Sequence, residues 1–242
     1  FRFRKDLEKH LSAGAKRVIL TVPPKDEVDA TVVLGVNDHI LSGDEKIISN
    51  ASCTTNCAAV LCKPIQDNFG IKEGYLITIH AYTMDQRLLD YPHKDMRRAR
   101  AAGLSIIPIT TGAANTLGEV IPGLKGRVDG ISYRVPVPDG SVVDLALELK
   151  TDVTVDDINS VMKEAANGQL KAHLQYSTEP IVSVDIIGNP FSAIYDAPLT
   201  KVLKNNFIKI TGWYDNESGY ANRVVDLVQK MGHFELGIEE DH

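Results

Sequence analysis

The chain has 242 residues, of which 43% are hydrophobic and 24% charged, and its formal net charge is −6. This composition is ordinary for a globular protein with a sizeable core, and it excludes a nucleic-acid-binding surface spread over the whole chain. No apolar run reaches the roughly 18 residues of a membrane helix, so no such helix is predicted. The three cysteines argue against a disulfide framework and favour a reducing compartment.

The first fifty residues alternate helical and extended patterns. A helix is predicted at 5–12, ending at Gly14, and apolar β-branched runs follow at 17–22, 31–34 and 46–49. Continuous apolar runs bounded by Pro and Gly are typical of a parallel sheet that is buried on both faces. This segment is therefore predicted to hold the last strands of a doubly wound sheet.

A short polar segment, Ser49–Cys57, joins the third run to a second predicted helix. An apolar side chain recurs at every fourth position after it, at Cys57, Leu61, Ile65 and Phe69. Cys53 then lies at the positive end of a helix, which is expected to lower the pKa of its thiol and make it reactive. On spacing alone, a helix N-cap followed by a buried structural cysteine explains the pattern equally well.

Two features further along the chain favour the reactive interpretation. A strand predicted at 74–83 carries His80, 27 residues after Cys53, with polar neighbours on the same face. Residues 85–103 are polar and basic, and they are too long for a plain connection, which indicates a functional or interface loop rather than a solvated charge run. His80 is therefore the candidate base for a nucleophilic Cys53.

The remaining pattern predicts a largely antiparallel sheet with two further helices. Alternating strands at 130–137 and 141–150 are joined by the turn sequence at 138–140. Thr154 opens a helix and has Asp157 three residues on, as in a capping box. Further strands are predicted at 181–187, 191–195 and 207–214, and an amphipathic helix is predicted from Gly219.

Six strings of residues stand out along the chain: Ser52–Cys57, Thr78–Thr83, Leu89–Arg100, Thr110–Ala114, Tyr133–Pro136 and Trp213–Glu217. They resemble the bacterial-type phosphorylating glyceraldehyde-3-phosphate dehydrogenase family, and the resemblance covers essentially the whole chain. The resemblance implies an α/β remnant of a Rossmann sheet at 1–50 and an α+β catalytic domain at 51–216. It also implies a helix at 217–242 that packs back on the nucleotide-binding half.

The resemblance also implies the chemistry. Cys53 attacks the aldehyde of glyceraldehyde 3-phosphate, His80 is the base, and inorganic phosphate releases the acyl group. Asn216 is expected to hold the nicotinamide of NAD, or of NADP. Thr83 and Arg134 match the pocket for the phosphate of the substrate. The pocket for the attacking phosphate is matched by Ser52, Thr54, Arg98, Thr111 and Gly112.

The family further implies a cytoplasmic homotetramer that binds no nucleic acid, membrane or metal. No G-x-G-x-x-G occurs in the chain, so most of the N-terminal NAD-binding half is expected to be missing here. Hydride transfer by these 242 residues alone is then expected to be undetectable.

Three positions depart from the common family pattern: Met84, Tyr91 and Asn115. They leave the choice between NAD and NADP open, although Pro92 favours NAD. Erythrose 4-phosphate remains an alternative substrate. A zinc site is poorly supported, because the three cysteines lack a second pair of ligands. A Cys-His hydrolase is also poorly supported, because its reaction would not use the two phosphate pockets. A structural or partner-binding role remains the other interpretation.

Overall fold

The computed structural model describes residues 1–238 and contains two β-sheets. The smaller sheet consists of β1 (Val18–Leu20), β2 (Ala30–Thr31) and β3 (Ile47–Ser49), all parallel and in the order β1-β3-β2. Helix α1 (Arg4–Ser12) precedes it and buries Leu7. The predicted parallel arrangement of this segment is confirmed.

The second strand of this sheet is shorter than the sequence predicts. Only Ala30–Thr31 pairs with β3, and residues 32–34 are buried outside any strand. The side chain of Asn37 accepts a hydrogen bond from the Val33 N–H at 2.8 Å and donates one to the Thr31 carbonyl at 3.0 Å. The predicted strand at 31–34 is therefore present but ends at Thr31, because these local bonds take backbone groups that a longer ladder would use.

The larger sheet is mixed and has the order β5-β6-β4-β7-β11-β9-β8, with β10 paired to β11. Its β4–β6 and β8–β9 pairs are parallel, and the other pairs are antiparallel. The strands are β4 (Ile71–Ala81), β5 (Ile107–Thr110), β6 (Val128–Val135), β7 (Ser141–Leu149), β8 (Leu174–Ser177), β9 (Ala193–Asp196), β10 (Lys201–Leu203) and β11 (Phe207–Tyr214). The predicted α/β segment followed by an α+β unit is confirmed.

Two predictions about this sheet are corrected. Strands β6 and β7 are not neighbours, because β4 lies between them, parallel to β6 and antiparallel to β7. The segment 181–187 is not a strand and contains a 3₁₀ turn at Ser183–Ile186. There the Asp185 carboxylate accepts the Val182 N–H at 2.8 Å, which stabilises a local turn instead of a ladder.

Helix α2 (Cys53–Phe69) lies on the larger sheet and forms the centre of the main core. Leu61 packs closely on β11. A Cβ atom added at Gly212 would lie only 2.6 Å from the Cδ1 methyl group of Leu61. This close approach brings the first turn of α2 to the carboxyl ends of β4 and β11. The other helices are α3 (Ala113–Val120), α4 (Val155–Asn167) and α5 (Ser218–Leu236).

Helix α5 packs against the smaller sheet through Leu227 and Met231, which share a cluster with Ile48. We propose on this packing that 1–50, 51–216 and 217–242 act as the three units predicted from the sequence. Within residues 1–238, no helix combines the length and the apolar character needed to cross a membrane.

The capping box of α4 is present as predicted. The Thr154 side chain accepts the Asp157 N–H at 3.2 Å, and the Asp157 carboxylate accepts the Thr154 N–H at 2.8 Å. We expect Thr154→Ala to lower the free energy of unfolding by about 0.5–2 kcal/mol, since it leaves a helix N–H without its partner. Urea denaturation measures this change, and Thr154→Ser, which keeps the hydroxyl, is the control. An equal loss in both variants would show that the hydroxyl is not the cause.

Candidate active site

Cys53 and His80 form the centre of the candidate site. Cys53 is the first residue of α2, and its neighbour Ser52 caps the helix by accepting the Thr55 N–H at 3.1 Å. His80 is the penultimate residue of β4 and is buried. The Cys53 Sγ atom lies 3.5 Å from the His80 Nε2 atom, so the structure joins the two residues that the sequence singled out.

The electrostatics of this pair differ from the sequence-based expectation. Burial raises the pKa of the Cys53 thiol, although hydrogen bonds from Thr54 and the charge of Arg134 act to lower it. Burial, followed by the charge of Arg134, lowers the pKa of His80 to about 4. The predicted lowering of the thiol pKa is therefore wrong, because burial outweighs the helix N-terminus. At neutral pH the structure favours a thiol beside a neutral imidazole.

The other ring nitrogen of His80 orients the imidazole. Its Nδ1 atom lies 2.8 Å from the carbonyl oxygen of Ala81, to which it donates when it carries the proton. The Nε2 lone pair then faces the Cys53 sulfur and can accept the thiol proton. Arg134 Nη1 donates to the same Ala81 carbonyl at 2.9 Å, which places the guanidinium beside the imidazole.

Three of the predicted phosphate ligands meet at one carboxylate, that of Asp85. The Thr83 hydroxyl donates to Asp85 Oδ1 at 2.6 Å, and Arg134 Nη2 lies 3.8 Å from the same oxygen. Arg98 Nε lies 3.1 Å from Oδ2. Asp85 is not among the site residues predicted from the sequence, although an acid two residues after Thr83 at the start of a basic loop is a usable signal. A cleft of about 550 Å³ adjoins this cluster and is lined by residues 82–88, Ala102 and Glu217.

The remaining phosphate candidates are placed differently. The Thr54 hydroxyl is buried and bonded to the Tyr214 hydroxyl at 2.9 Å. Thr111 and Gly112 follow β5, where Thr111 Oγ1 accepts the Ala113 N–H at 3.2 Å. Among residues 1–238, no hydrogen bond joins Thr111 or Gly112 to Cys53 or His80. Their phosphate role stays a prediction.

Asn216 lies just after β11 and is buried. Its Oδ1 atom accepts a hydrogen bond from the Ser141 hydroxyl at 2.6 Å, and its Nδ2 atom donates to Glu217 at 3.3 Å. Asn50 follows β3, and its Oδ1 atom is buried without a hydrogen-bond partner in the described part of the chain. Over residues 1–238, no group of three or more His, Cys, Asp or Glu side chains is placed to hold a metal ion.

Comparison with known proteins agrees with this geometry. Residues 52–216 match the family model described as glyceraldehyde 3-phosphate dehydrogenase, C-terminal domain. The chain is 53% identical over 234 residues to glyceraldehyde-3-phosphate dehydrogenase 2 of Streptomyces avermitilis, covering 96% of this chain and 70% of that protein. It is 59% identical over 221 residues to glyceraldehyde-3-phosphate dehydrogenase of Borreliella burgdorferi, covering 90% of this chain and 66% of that protein.

A third relative, glyceraldehyde-3-phosphate dehydrogenase of Mycobacterium avium, is 58% identical over 223 residues, covering 92% of this chain and 65% of that protein. The chain therefore spans about two thirds of the length of the curated relatives that it matches. With a family model over 52–216 and these identities, the chain belongs to the glyceraldehyde-3-phosphate dehydrogenase family of oxidoreductases.

Proposed function

We propose that this chain carries the catalytic machinery for the oxidative phosphorylation of D-glyceraldehyde 3-phosphate. The observation that carries the proposal is the Cys53 sulfur, 3.5 Å from His80 Nε2, at the N-terminus of a helix. A thiol with an adjacent base is the arrangement of a covalent catalyst. Arg134 lies beside this pair, and Arg98 reaches the same Asp85 carboxylate as Arg134, so both can supply cations for a phosphorylated substrate.

The residues perform the reaction as two covalent steps. His80 accepts the Cys53 proton as the sulfur attacks the aldehyde carbon, and it returns this proton to the carbonyl oxygen, which gives a thiohemiacetal and a neutral imidazole. The hydroxyl proton of this adduct passes to His80 when hydride leaves, and a thioester remains on Cys53. Phosphate then attacks the thioester carbon, the C–S bond breaks, and the acyl phosphate leaves while Cys53 regains a proton. The Thr54 N–H at the first turn of α2 lies where it can stabilise negative charge during these steps.

The phosphate groups of the reaction have matching residues nearby. Thr83 and Arg134 are proposed to bind the phosphate of the aldehyde, and Arg98 the attacking phosphate, with Ser52, Thr54, Thr111 and Gly112 as further candidates. Arginine suits both tasks because its planar guanidinium binds phosphate oxygens in pairs. In the structure the Asp85 carboxylate contacts Thr83, Arg98 and Arg134. The two phosphate groups would therefore compete with this carboxylate for the two arginines.

NAD is the proposed cofactor, with NADP as the open alternative, and it accepts the hydride. The residues present fit its nicotinamide end. Asn216 holds a fixed amide next to the end of β11, and Asn50 leaves a buried amide oxygen unpaired at the carboxyl end of the parallel strands. Ligands of open α/β sheets bind at this edge. Asn216 would hold the carboxamide and orient the ring toward Cys53.

Labelling tests the central assignment directly. Cys57 and Cys62 are completely buried, and burial raises the pKa of Cys62 to about 12. Iodoacetamide should therefore modify Cys53 far faster than either of them, and aldehyde oxidation should disappear in step with the modification. Equal labelling of the cysteines would contradict a catalytic role. Comparing kcat/KM for glyceraldehyde 3-phosphate and erythrose 4-phosphate separates the two substrates.

Arginine variants test the two phosphate roles. We expect Arg134→Ala to raise KM for the aldehyde substrate more than KM for phosphate, and Arg98→Ala to do the reverse, each by tenfold or more since charge-assisted hydrogen bonds are lost. Steady-state kinetics in the assembled enzyme, with each substrate varied in turn, measures both. Arg100→Ala is the control, because Arg100 is exposed and pairs with Asp90. Identical effects of the two variants on both substrates would contradict separate pockets.

We also propose a cytoplasmic homotetramer. Large apolar side chains are exposed in the basic loop at 85–103 and at Met84 directly before it, in particular Leu88, Leu89, Tyr91 and Met96. Such a group on one loop is typical of an interface. Light scattering over a range of concentrations tests the oligomeric state, and a monomer at every concentration would contradict it.

A further inference from the structure

Tyr214 connects the helix of the nucleophile with the strand of the base. It is the last residue of β11 and is 1% exposed. Its hydroxyl lies 2.9 Å from the hydroxyl of Thr54 in the first turn of α2, and 2.9 Å from the hydroxyl of Thr78 on β4. The Tyr214 ring stands edge-on to the His80 imidazole, with 5.9 Å between the ring centres.

The three hydroxyls form one buried chain. Thr54 and Thr78 are 5% and 1% exposed, so water does not replace a missing partner. A tyrosine hydroxyl has one proton to donate and also accepts, so it can serve two threonines at once. Losing it would leave both threonine hydroxyls without the partner that now orients them.

This chain lies next to the sulfur of Cys53. Thr54 directly follows Cys53 in the first turn of α2, and its side chain and backbone N–H act to lower the thiol pKa against the effect of burial. The backbone N–H is held by the helix, whereas the hydroxyl is free to rotate about χ1 unless a partner holds it. Within the described residues that partner is Tyr214.

We infer that Tyr214 is a positioning residue: it joins the first turn of α2, which carries Cys53, to β4, which carries His80, and it fixes the Thr54 hydroxyl next to Cys53. The edge contact between the two rings helps to hold the His80 imidazole. The consequence for turnover rests on the proposed function. The effect on the thiol does not, because it can be measured without substrate or cofactor.

Other groups also face the thiol and must stay unchanged in a test. His80 and Arg134 approach from β4 and β6, Glu217 follows β11, and Tyr220 lies on α5. Arg134 lowers the pKa of the thiol and Glu217 raises it. A variant that removes only the Tyr214 hydroxyl leaves all of these groups in place.

The test is the rate of iodoacetamide alkylation of Cys53 in the assembled protein between about pH 5 and pH 10. We expect Tyr214→Phe to slow alkylation at pH 7 by about three- to tenfold, the range of one lost hydrogen bond. The midpoint of the pH profile should move upward by about half to one pH unit, the same change expressed as a pKa. The ring contact with His80 is retained in this variant.

Tyr195→Phe is the matched control. Tyr195 is also fully buried on the same sheet, and its hydroxyl bonds Asn159 at 2.7 Å and contacts Thr200. It should lose stability as Tyr214→Phe does, without moving the pH profile of Cys53. A Tyr214→Phe variant that loses stability but keeps the wild-type profile would overturn the inference.

Thr54 variants keep the inference testable if Tyr214→Phe folds poorly. Thr54→Val removes the intermediate hydroxyl and should shift the profile, whereas Thr54→Ser should restore it. In a double-mutant cycle, Tyr214→Phe should add little to Thr54→Val, since both break the same chain. Fully additive shifts would show that Tyr214 acts independently of Thr54 and would contradict the proposed chain. A shifted profile without dehydrogenase activity would contradict the proposed function but not this inference.

Discussion

Replacement of Cys53 by Ser is expected to abolish aldehyde oxidation. A serine hydroxyl at this position is a far weaker nucleophile than a thiol, and no thioester can form for phosphate to attack. The buried site makes the change more severe, because burial already raises the pKa of the Cys53 thiol and opposes formation of any anion at this position. Steady-state rates in the assembled enzyme, together with intact mass after incubation with an acyl donor, measure the loss of oxidation and of acylation.

The control for this variant is Cys62→Ala. Cys62 lies in the same helix, is fully buried, and has a pKa raised to about 12 by burial. It should lose stability through the small cavity left in the core, by roughly 1 kcal/mol, while its kcat is retained. Residual oxidation by Cys53→Ser at more than a trace level, in a folded protein, would contradict the covalent mechanism.

His80→Asn should leave a slow enzyme, with kcat reduced by about 10²–10⁴-fold, the usual contribution of a general base. The imidazole is neutral at pH 7 because burial and the charge of Arg134 lower its pKa to about 4. It is therefore in the form that accepts the thiol proton, and Asn cannot replace that function. Alkylation of Cys53 at pH 7 should slow as well, since the thiol loses the base 3.5 Å away.

His173 provides a matched comparison. It is also beside an arginine, Arg223 at 3.0 Å, and burial likewise lowers its pKa to about 4. It contacts no cysteine in the described residues, so His173→Asn should lower stability and leave kcat and alkylation near wild type. Equal loss of kcat in the two variants would show that the effect of His80 is structural rather than chemical.

The local elements near the site could be predicted from the sequence. The apolar repeat from Cys57 to Phe69 indicated α2, and Ser52 in front of it indicated the cap that the structure shows. The capping box at Thr154 was equally visible. These features depend on interactions between residues three or four positions apart, so the local sequence is enough to predict them.

The strand order and the register could not be predicted. Strand β4 lies between β6 and β7 because of long-range pairing with both, although the turn between β6 and β7 suggested that they are neighbours. The segment 181–187 has an apolar pattern, but the Asp185 cap stabilises a turn there. Pairing between distant segments depends on the whole core and not on local pattern.

The sequence by itself determined the candidate pair Cys53 and His80, the helix and strand that carry them, and the family. Only the tertiary structure decided the electrostatics of the pair and the connections around it. The thiol pKa is raised because folding removes water from around the sulfur of the partly buried Cys53, an effect that no local motif encodes. Thr83, Arg98 and Arg134 meet at Asp85, and the Tyr214 hydroxyl bonds Thr54 and Thr78. Both arrangements join residues from elements distant in the chain, and only packing brings these elements together.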